Sequence, residues 1–179
     1  MRVYIIAGKA GSGKNTTANY IKKCYEEKGK TVVVTEISKY LKSFAYEIKN
    51  WDGERDTKPR SFLQETGSLI RHELFNEDFF INRLLEDMKV YEKLVDVVAI
   101  ADARFPREIE KIKESYKSTS IKVINNFSES ELSSEQNKHE SETALDNFDQ
   151  FDYTLVNTTF EKLEEDIYTL VSEVEKNEE

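Results

Sequence analysis

Cysteine is almost absent from this 179-residue chain: Cys24 is the single example, so no intrachain disulfide can form. It falls on the apolar stripe of the first predicted helix and reads as core rather than as a catalytic thiol. Long hydrophobic runs are absent too; none approaches the ~20 residues of a membrane-spanning helix. No signal peptide precedes the first strand, so a soluble, cytoplasmic protein with no membrane partner is expected. Positive charge is scarce, with 26 Lys and Arg against 35 Asp and Glu and a net charge of −9. Such a surface repels nucleic acid and anionic lipid, so a phosphate ligand needs a local positive pocket. There are no internal repeats and no break that would mark a second domain. The length suits one compact domain over 1–179. Hydrophobic residues at 38% and charged residues at 34% are polar for a globular chain but sufficient for a core.

Short apolar runs alternate with amphipathic stretches. Val3–Ala7, Thr31–Glu36, Val95–Ala101, Ser120–Ile124 and Tyr153–Val156 read as strands, the first and third of them buried. Helices are predicted over Gly13–Lys28, from a Ser38 cap through Asn50, from Pro59 to about Leu74, from Glu77 to about Leu94, from Pro106, and from Phe160 to Val174. Asn50–Lys58 reads as a loop. Asn125–Glu140 is polar, acidic and serine-rich and supplies no core. The alternation predicts an α/β fold: a parallel five-stranded sheet flanked by helices.

Glycine is sparse, yet three of the six fall in Gly8-Lys9-Ala10-Gly11-Ser12-Gly13-Lys14-Asn15-Thr16. This run follows a buried strand and opens a helix, the context of a phosphate-binding P-loop. Glycines let the backbone approach a phosphate, and the loop N–H groups with the helix N-terminus attract the anion. Gly11, Ser12, Gly13, Lys14, Asn15 and Thr16 are therefore candidate ATP ligands, with Lys14 reaching the β- and γ-phosphates. The competing reading is a glycine-rich turn carrying a surface lysine. Asn15 stands where Ser or Thr usually ligates Mg²⁺. It can offer a carbonyl oxygen directly or through water, or Thr16 can help hold the metal or a phosphate.

Asp102 lies at the C-terminal end of the third strand, where open α/β sheets bind ligands. It is a candidate Mg²⁺ holder, and Arg104 can grip a phosphate bidentately. The bland alternative is an Asp-Arg turn. On the helix from Pro59, Arg60, Gln64, Gly67 and Arg71 share one face. Two arginines, an amide and a glycine suit an anionic planar ligand; a solvated face with incidental charge is the alternative. Lys42 is a further candidate phosphate ligand, with Lys39 as its competitor.

Together these pieces resemble the phage and bacterial deoxynucleoside monophosphate kinase family over nearly the whole chain. The resemblance rests on Gly13-Lys14-Asn15-Thr16, on Arg60…Leu63-Gln64…Gly67 and on Asp102-Ala103-Arg104-Phe105-Pro106-Arg107-Glu108. It continues through His139-Glu140-Ser141-Glu142, Phe151-Asp152-Tyr153 and Asn157. It implies an adenylate-kinase-like P-loop NTPase with a substrate-binding helical part over about 38–94 and a short lid over about 125–142. On that likeness Gly11–Thr16 bind ATP, Asp102 serves Mg²⁺, and Lys42, Arg60, Gln64 and Arg104 contact the acceptor monophosphate. Asn157 would sit near the adenine, and Glu108 would support Arg104 or cap its helix. Lys14, Asp102 and Arg104 are the expected catalytic set, acting on ATP and a (deoxy)nucleoside monophosphate to give ADP and the diphosphate. The family often carries Asp at the position of Asn15. Kinases of this type also close lid arginines over the transferring group, whereas 125–142 has none, only Lys138 and His139 among five glutamates. Stabilisation then falls more heavily on Lys14, Arg104 and Mg²⁺. His139 reads either as a phosphate contact or as a helix-start residue. Dephospho-CoA kinase and phosphomevalonate kinase share the scaffold, and a nucleotide-binding P-loop protein without transfer is the rival from another class. Either a monomer or a homodimer is compatible with the sequence.

Overall fold

The computed structural model describes residues 1–54, 56–125 and 132–177. Strand β1 (Arg2–Ala7) leads through the P-loop into α1 (Lys14–Glu26), then β2 (Val32–Thr35) and α2 (Lys39–Lys49). Next come α3 (Arg60–Ser68), a π-helical turn (Leu69–Glu73), α4 (Phe79–Tyr91), β3 (Val97–Ala103), α5 (Pro106–Ser115) and β4 (Ser118–Asn125). Two short helices, α6 (Ser134–Lys138) and α7 (Glu140–Thr143), precede β5 (Tyr153–Asn157) and α8 (Phe160–Lys176).

The five strands form one sheet in the order β2-β3-β1-β4-β5, every neighbouring pair parallel. Successive side chains of β1 enter opposite layers, which is why the strand is apolar throughout. Tyr4 and Ile6 pack with Ala18 and Ile21 of α1 and Leu163, Ile167 and Leu170 of α8. Val3, Ile5 and Ala7 pack with Ile81, Leu84 and Met88 of α4 and Ile109 and Ile112 of α5. Parallel strands all end on the same side, so the loops after β1 and β3 meet at one edge of the sheet. Among the described residues no helix is long and apolar enough to cross a membrane.

Some elements depart from the sequence expectation. The helix expected over Pro59–Leu74 is α-helical only through Ser68; bonds from Leu74 N–H to Leu69 O (3.0 Å) and Asn76 N–H to Ile70 O (3.2 Å) widen the next turn. Ser38 precedes α2 without a side-chain cap. Strand β3 continues through Ala103, so Asp102 is its penultimate residue rather than its successor. Of the expected lid, 126–131 lie outside the described residues. The described residues resume at Leu132, and Ser133 caps α6 by accepting from Gln136 N–H at 3.2 Å.

Candidate active site

The sheet edge opens into a cavity of about 690 Å³. Gly11, Ser12, Gly13, Lys14, Asn15 and Thr16 line it, and Asp102, Arg104 and Asn157 face it from the strand ends. Lys42, Arg60, Gln64 and Arg71 line it from α2, α3 and the π-turn. The candidate ligands Gly11–Thr16, Lys42, Arg60, Gln64, Arg71, Asp102, Arg104 and Asn157 thus line one space. Lys39 does not: its ammonium pairs with Asp87 at 2.5 Å and donates to Tyr91 at 3.1 Å.

The P-loop takes its shape from a left-handed residue at the helix entry. Gly13 has φ +102°, and a Cβ there would stand 2.6 Å from Asn157 Nδ2. The Asn157 amide is buried and donates to Ser12 O at 3.2 Å, so it braces the loop from β5. No side chain caps the first turn of α1, which leaves its N–H groups for an anion. Lys14 folds back over the loop, donating to Gly8 O at 2.8 Å and Lys9 O at 2.7 Å. Burial, with a smaller push from Arg104, lowers its pKa to about 7, while Glu142 and Asp102 pull the other way. A phosphate beside it would favour the charged form.

Asp102 bridges the ends of β3 and β2. One carboxylate oxygen accepts from Ile37 N–H at 2.6 Å and the other from Ser38 N–H at 3.1 Å. Each oxygen has acceptor capacity left, and Asp102 lines the cavity, so it can hold a metal through water. Asp102, Asn15 and Thr16 are hard oxygen donors, the chemistry Mg²⁺ takes. No cluster of three His, Cys, Asp or Glu suited to a metal occurs among the described residues.

Arg104 is gripped by a residue the sequence reading leaves without a role. Its guanidinium pairs with Glu142 at 2.8 Å, and the second Glu142 oxygen accepts from Ala10 N–H at 2.8 Å. Glu142, with a side chain only 7% exposed, therefore clips α7 to both the P-loop and Arg104. Glu108 takes the supporting place beside them: one oxygen accepts from Arg104 N–H (2.8 Å) and Phe105 N–H (3.1 Å), heading α5. Burial raises its carboxyl to about 7 against those two bonds.

The rest of the late segment lies against α3 and the π-turn. Gln64 donates to Gln136 O at 3.1 Å, and Arg71 pairs with Glu140 at 3.0 Å while lying over the Phe105 ring. His72 meets the other Glu140 oxygen at 2.8 Å; the wide π-turn brings these two sequence neighbours onto one carboxylate. The room left by Gly67 is taken by Arg71 and Leu41 rather than opened to the cavity. His139 starts α7, its Nδ1 accepting from Ser141 N–H at 3.2 Å and its Nε2 facing Ser68 Oγ at 3.1 Å. Lys42 pairs with Glu36, and Lys58, read in sequence only as loop, lines the same cavity. The contacts of Glu142 and Glu140 join residues some forty to a hundred and thirty positions apart, so no local spacing announces them.

The fold is shared with known kinases. Shikimate kinase from Aquifex aeolicus vf5 is similar at 13% identity and TM-score 0.55, covering 99% of this chain and 98% of that one. A sugar kinase from Janibacter sp. HTCC2649 matches at 13% identity and TM-score 0.57, covering 96% and 95%. Shikimate kinase from Bacteroides thetaiotaomicron matches at 12% and 0.50, covering 98% of each chain. At such identities the likeness defines the fold alone: a parallel five-stranded sheet flanked by helices, with the glycine-rich loop after its first strand. No family model matches the chain, and no curated protein matches it.

Proposed function

We propose that this chain transfers the γ-phosphate of ATP to a phosphorylated small molecule, with a (deoxy)nucleoside monophosphate as acceptor, giving ADP and the diphosphate. The observation that carries the choice of acceptor is the state of Asp102, Glu142 and Glu36, three of the carboxylates that line the cavity. Asp102 accepts backbone N–H bonds on both oxygens, Glu142 is held by Arg104 and Ala10, and Glu36 pairs with Lys42. An alcohol acceptor needs a base to take its proton; a phosphate oxygen is already anionic and needs none.

In this scheme Gly11–Thr16 hold the ATP phosphates, Lys14 spans the β- and γ-oxygens, and Asn157 fixes the loop beneath them. Mg²⁺, when bound, neutralises charge on those oxygens, and Asp102, Asn15 and Thr16 are the residues to hold it. Lys42, Arg60, Gln64, Arg71 and Arg104 orient the acceptor for in-line attack, and Arg104 and Lys14 offset charge as the phosphoryl group passes. The segment over about 125–142 acts as the lid. The test is ADP release from MgATP across a panel of nucleoside monophosphates, shikimate, sugars, dephospho-CoA and phosphomevalonate. Turnover with one or a few monophosphates is expected. Turnover confined to an alcohol would refute the acceptor, and ATP binding with no acceptor effect would leave a nucleotide-binding protein.

A further inference from the structure

The loop before α3 carries a lysine that the folded chain does not pair. Lys58 is half-buried and lines the cavity. Among the described residues no salt bridge and no side-chain hydrogen bond engages it. Its electrostatic neighbours are Lys42 on α2, Arg60 on α3, Arg104 after β3 and Lys14 in the P-loop, with Glu36 as the opposing charge. Glu36 is committed to Lys42, and Glu142 to Arg104. A chain of net charge −9 thus gathers cations around one cavity and leaves a half-buried ammonium among them without a carboxylate. Folding alone gives no reason for that arrangement, because like charges brought together out of water destabilise. Function does, since strained electrostatics persist where a ligand relieves them.

We infer that Lys58 binds the phosphate dianion of the acceptor and, with Lys42, Arg60 and Arg104, forms the subsite that selects a phosphate monoester over a neutral or singly charged acceptor. This rests on the phosphoryl-transfer reading and names the part of the cavity that reads acceptor charge. A neutral sugar leaves Lys58 uncompensated, and a carboxylate brings half the charge of a phosphate dianion. Burial first, then Lys42 and Arg60, lowers the Lys58 pKa to about 8, with only Glu36 opposing. The sign follows. The charged form is disfavoured in the folded chain and is restored by a bound dianion, so acceptor affinity falls as pH rises through 8.

The experiment compares wild type, Lys58→Met and Lys58→Arg. Kinetics are measured at saturating MgATP, and sulfate is titrated into the MgADP complex with melting temperature as readout. Losing one charged hydrogen bond predicts acceptor KM at least about tenfold higher in Lys58→Met. ATP KM stays within about twofold, because only acceptor binding is touched. Lys58→Met keeps or raises the melting temperature of the free protein, whereas a merely structural lysine would lower it. Lys58→Arg retains acceptor KM within about threefold, and its KM no longer climbs above pH ~8, because guanidinium stays protonated. An unchanged acceptor KM in an active Lys58→Met enzyme overturns the assignment and leaves phosphoryl transfer standing. If wild type uses no acceptor, phosphoryl transfer fails and the sulfate titration decides Lys58. Sulfate stabilising wild type more than Lys58→Met supports the anion subsite, and equal stabilisation overturns it.

Discussion

Replacing Gly13 by alanine should cost more than replacing Gly11, although both glycines sit in the same loop with positive φ. At Gly11 (φ +75°) a Cβ would meet no atom within 4 Å, so only backbone strain is added. That strain is roughly 1–2 kcal/mol for an L-residue. At Gly13 (φ +102°) the Cβ would also stand 2.6 Å from Asn157 Nδ2. Asn157 is 8% exposed and is held to Ser12 O at 3.2 Å. It must swing away, losing a net hydrogen bond of about 1 kcal/mol and unbracing the loop. The total is about 2–3 kcal/mol for Gly13→Ala. At roughly 2–4 °C per kcal/mol for a chain of this size, the melting temperature falls by about 4–12 °C, against about 2–8 °C for Gly11→Ala. Thermal melts with calorimetric titration of MgATP are the assay. Gly13→Ala should also weaken nucleotide binding by at least about tenfold, since the first-turn N–H groups move with the loop. Equal melting temperatures for the two variants, or an unchanged nucleotide Kd in Gly13→Ala, would refute the brace.

Glu142→Gln keeps an acceptor for Ala10 N–H but removes the charge that holds Arg104. Arg104 is 24% exposed and retains weak contacts to Gly8 O and Ser141 O, so stability drops by only about 1 kcal/mol while kcat falls at least about tenfold with ATP KM nearly constant; steady-state kinetics check this. For Glu140, burial pushes the carboxyl up, but bonds from His72, Ser68 and Arg71 overcome it and hold the pKa at about 2, below the ordinary 4.5. Its contribution is full above pH ~5 and is lost as pH falls toward 2. Glu140→Gln should therefore lower the urea midpoint more at pH 6 than at pH 3. Cys24 is 1% exposed, and burial raises its thiol to about 11. Iodoacetamide at pH 8 should leave the native chain unmodified and label it fully in denaturant.

How much of this is legible in the sequence depends on how local each signal is. The P-loop is legible because strand, glycines, lysine and helix are contiguous, and the sheet is legible because buried parallel strands are apolar on both faces. The convergence of Arg60, Gln64, Arg71 and Arg104 is half-legible: a helical period aligns the first three, but only the folded chain brings Arg104 to them. Gly67 is legible as a space and not as what fills it, because Arg71 reaches back along its own helix. The clips by Glu142 and Glu140 are illegible, because a glutamate in a polar, serine-rich run looks solvated until the fold sets it on a guanidinium. Lys58 is hidden for the opposite reason, since a loop lysine next to Arg55 and Asp56 reads as surface charge.

The most direct test of the central claim is phosphorus NMR of the products formed from MgATP and each nucleoside monophosphate. The account predicts that loss of the γ-phosphorus signal is matched by ADP and by the new β-phosphorus signal of a nucleoside diphosphate. Lys14→Ala should abolish that conversion while leaving the fold intact. A phosphate ester, inorganic phosphate alone, or most of the turnover surviving in Lys14→Ala would contradict it.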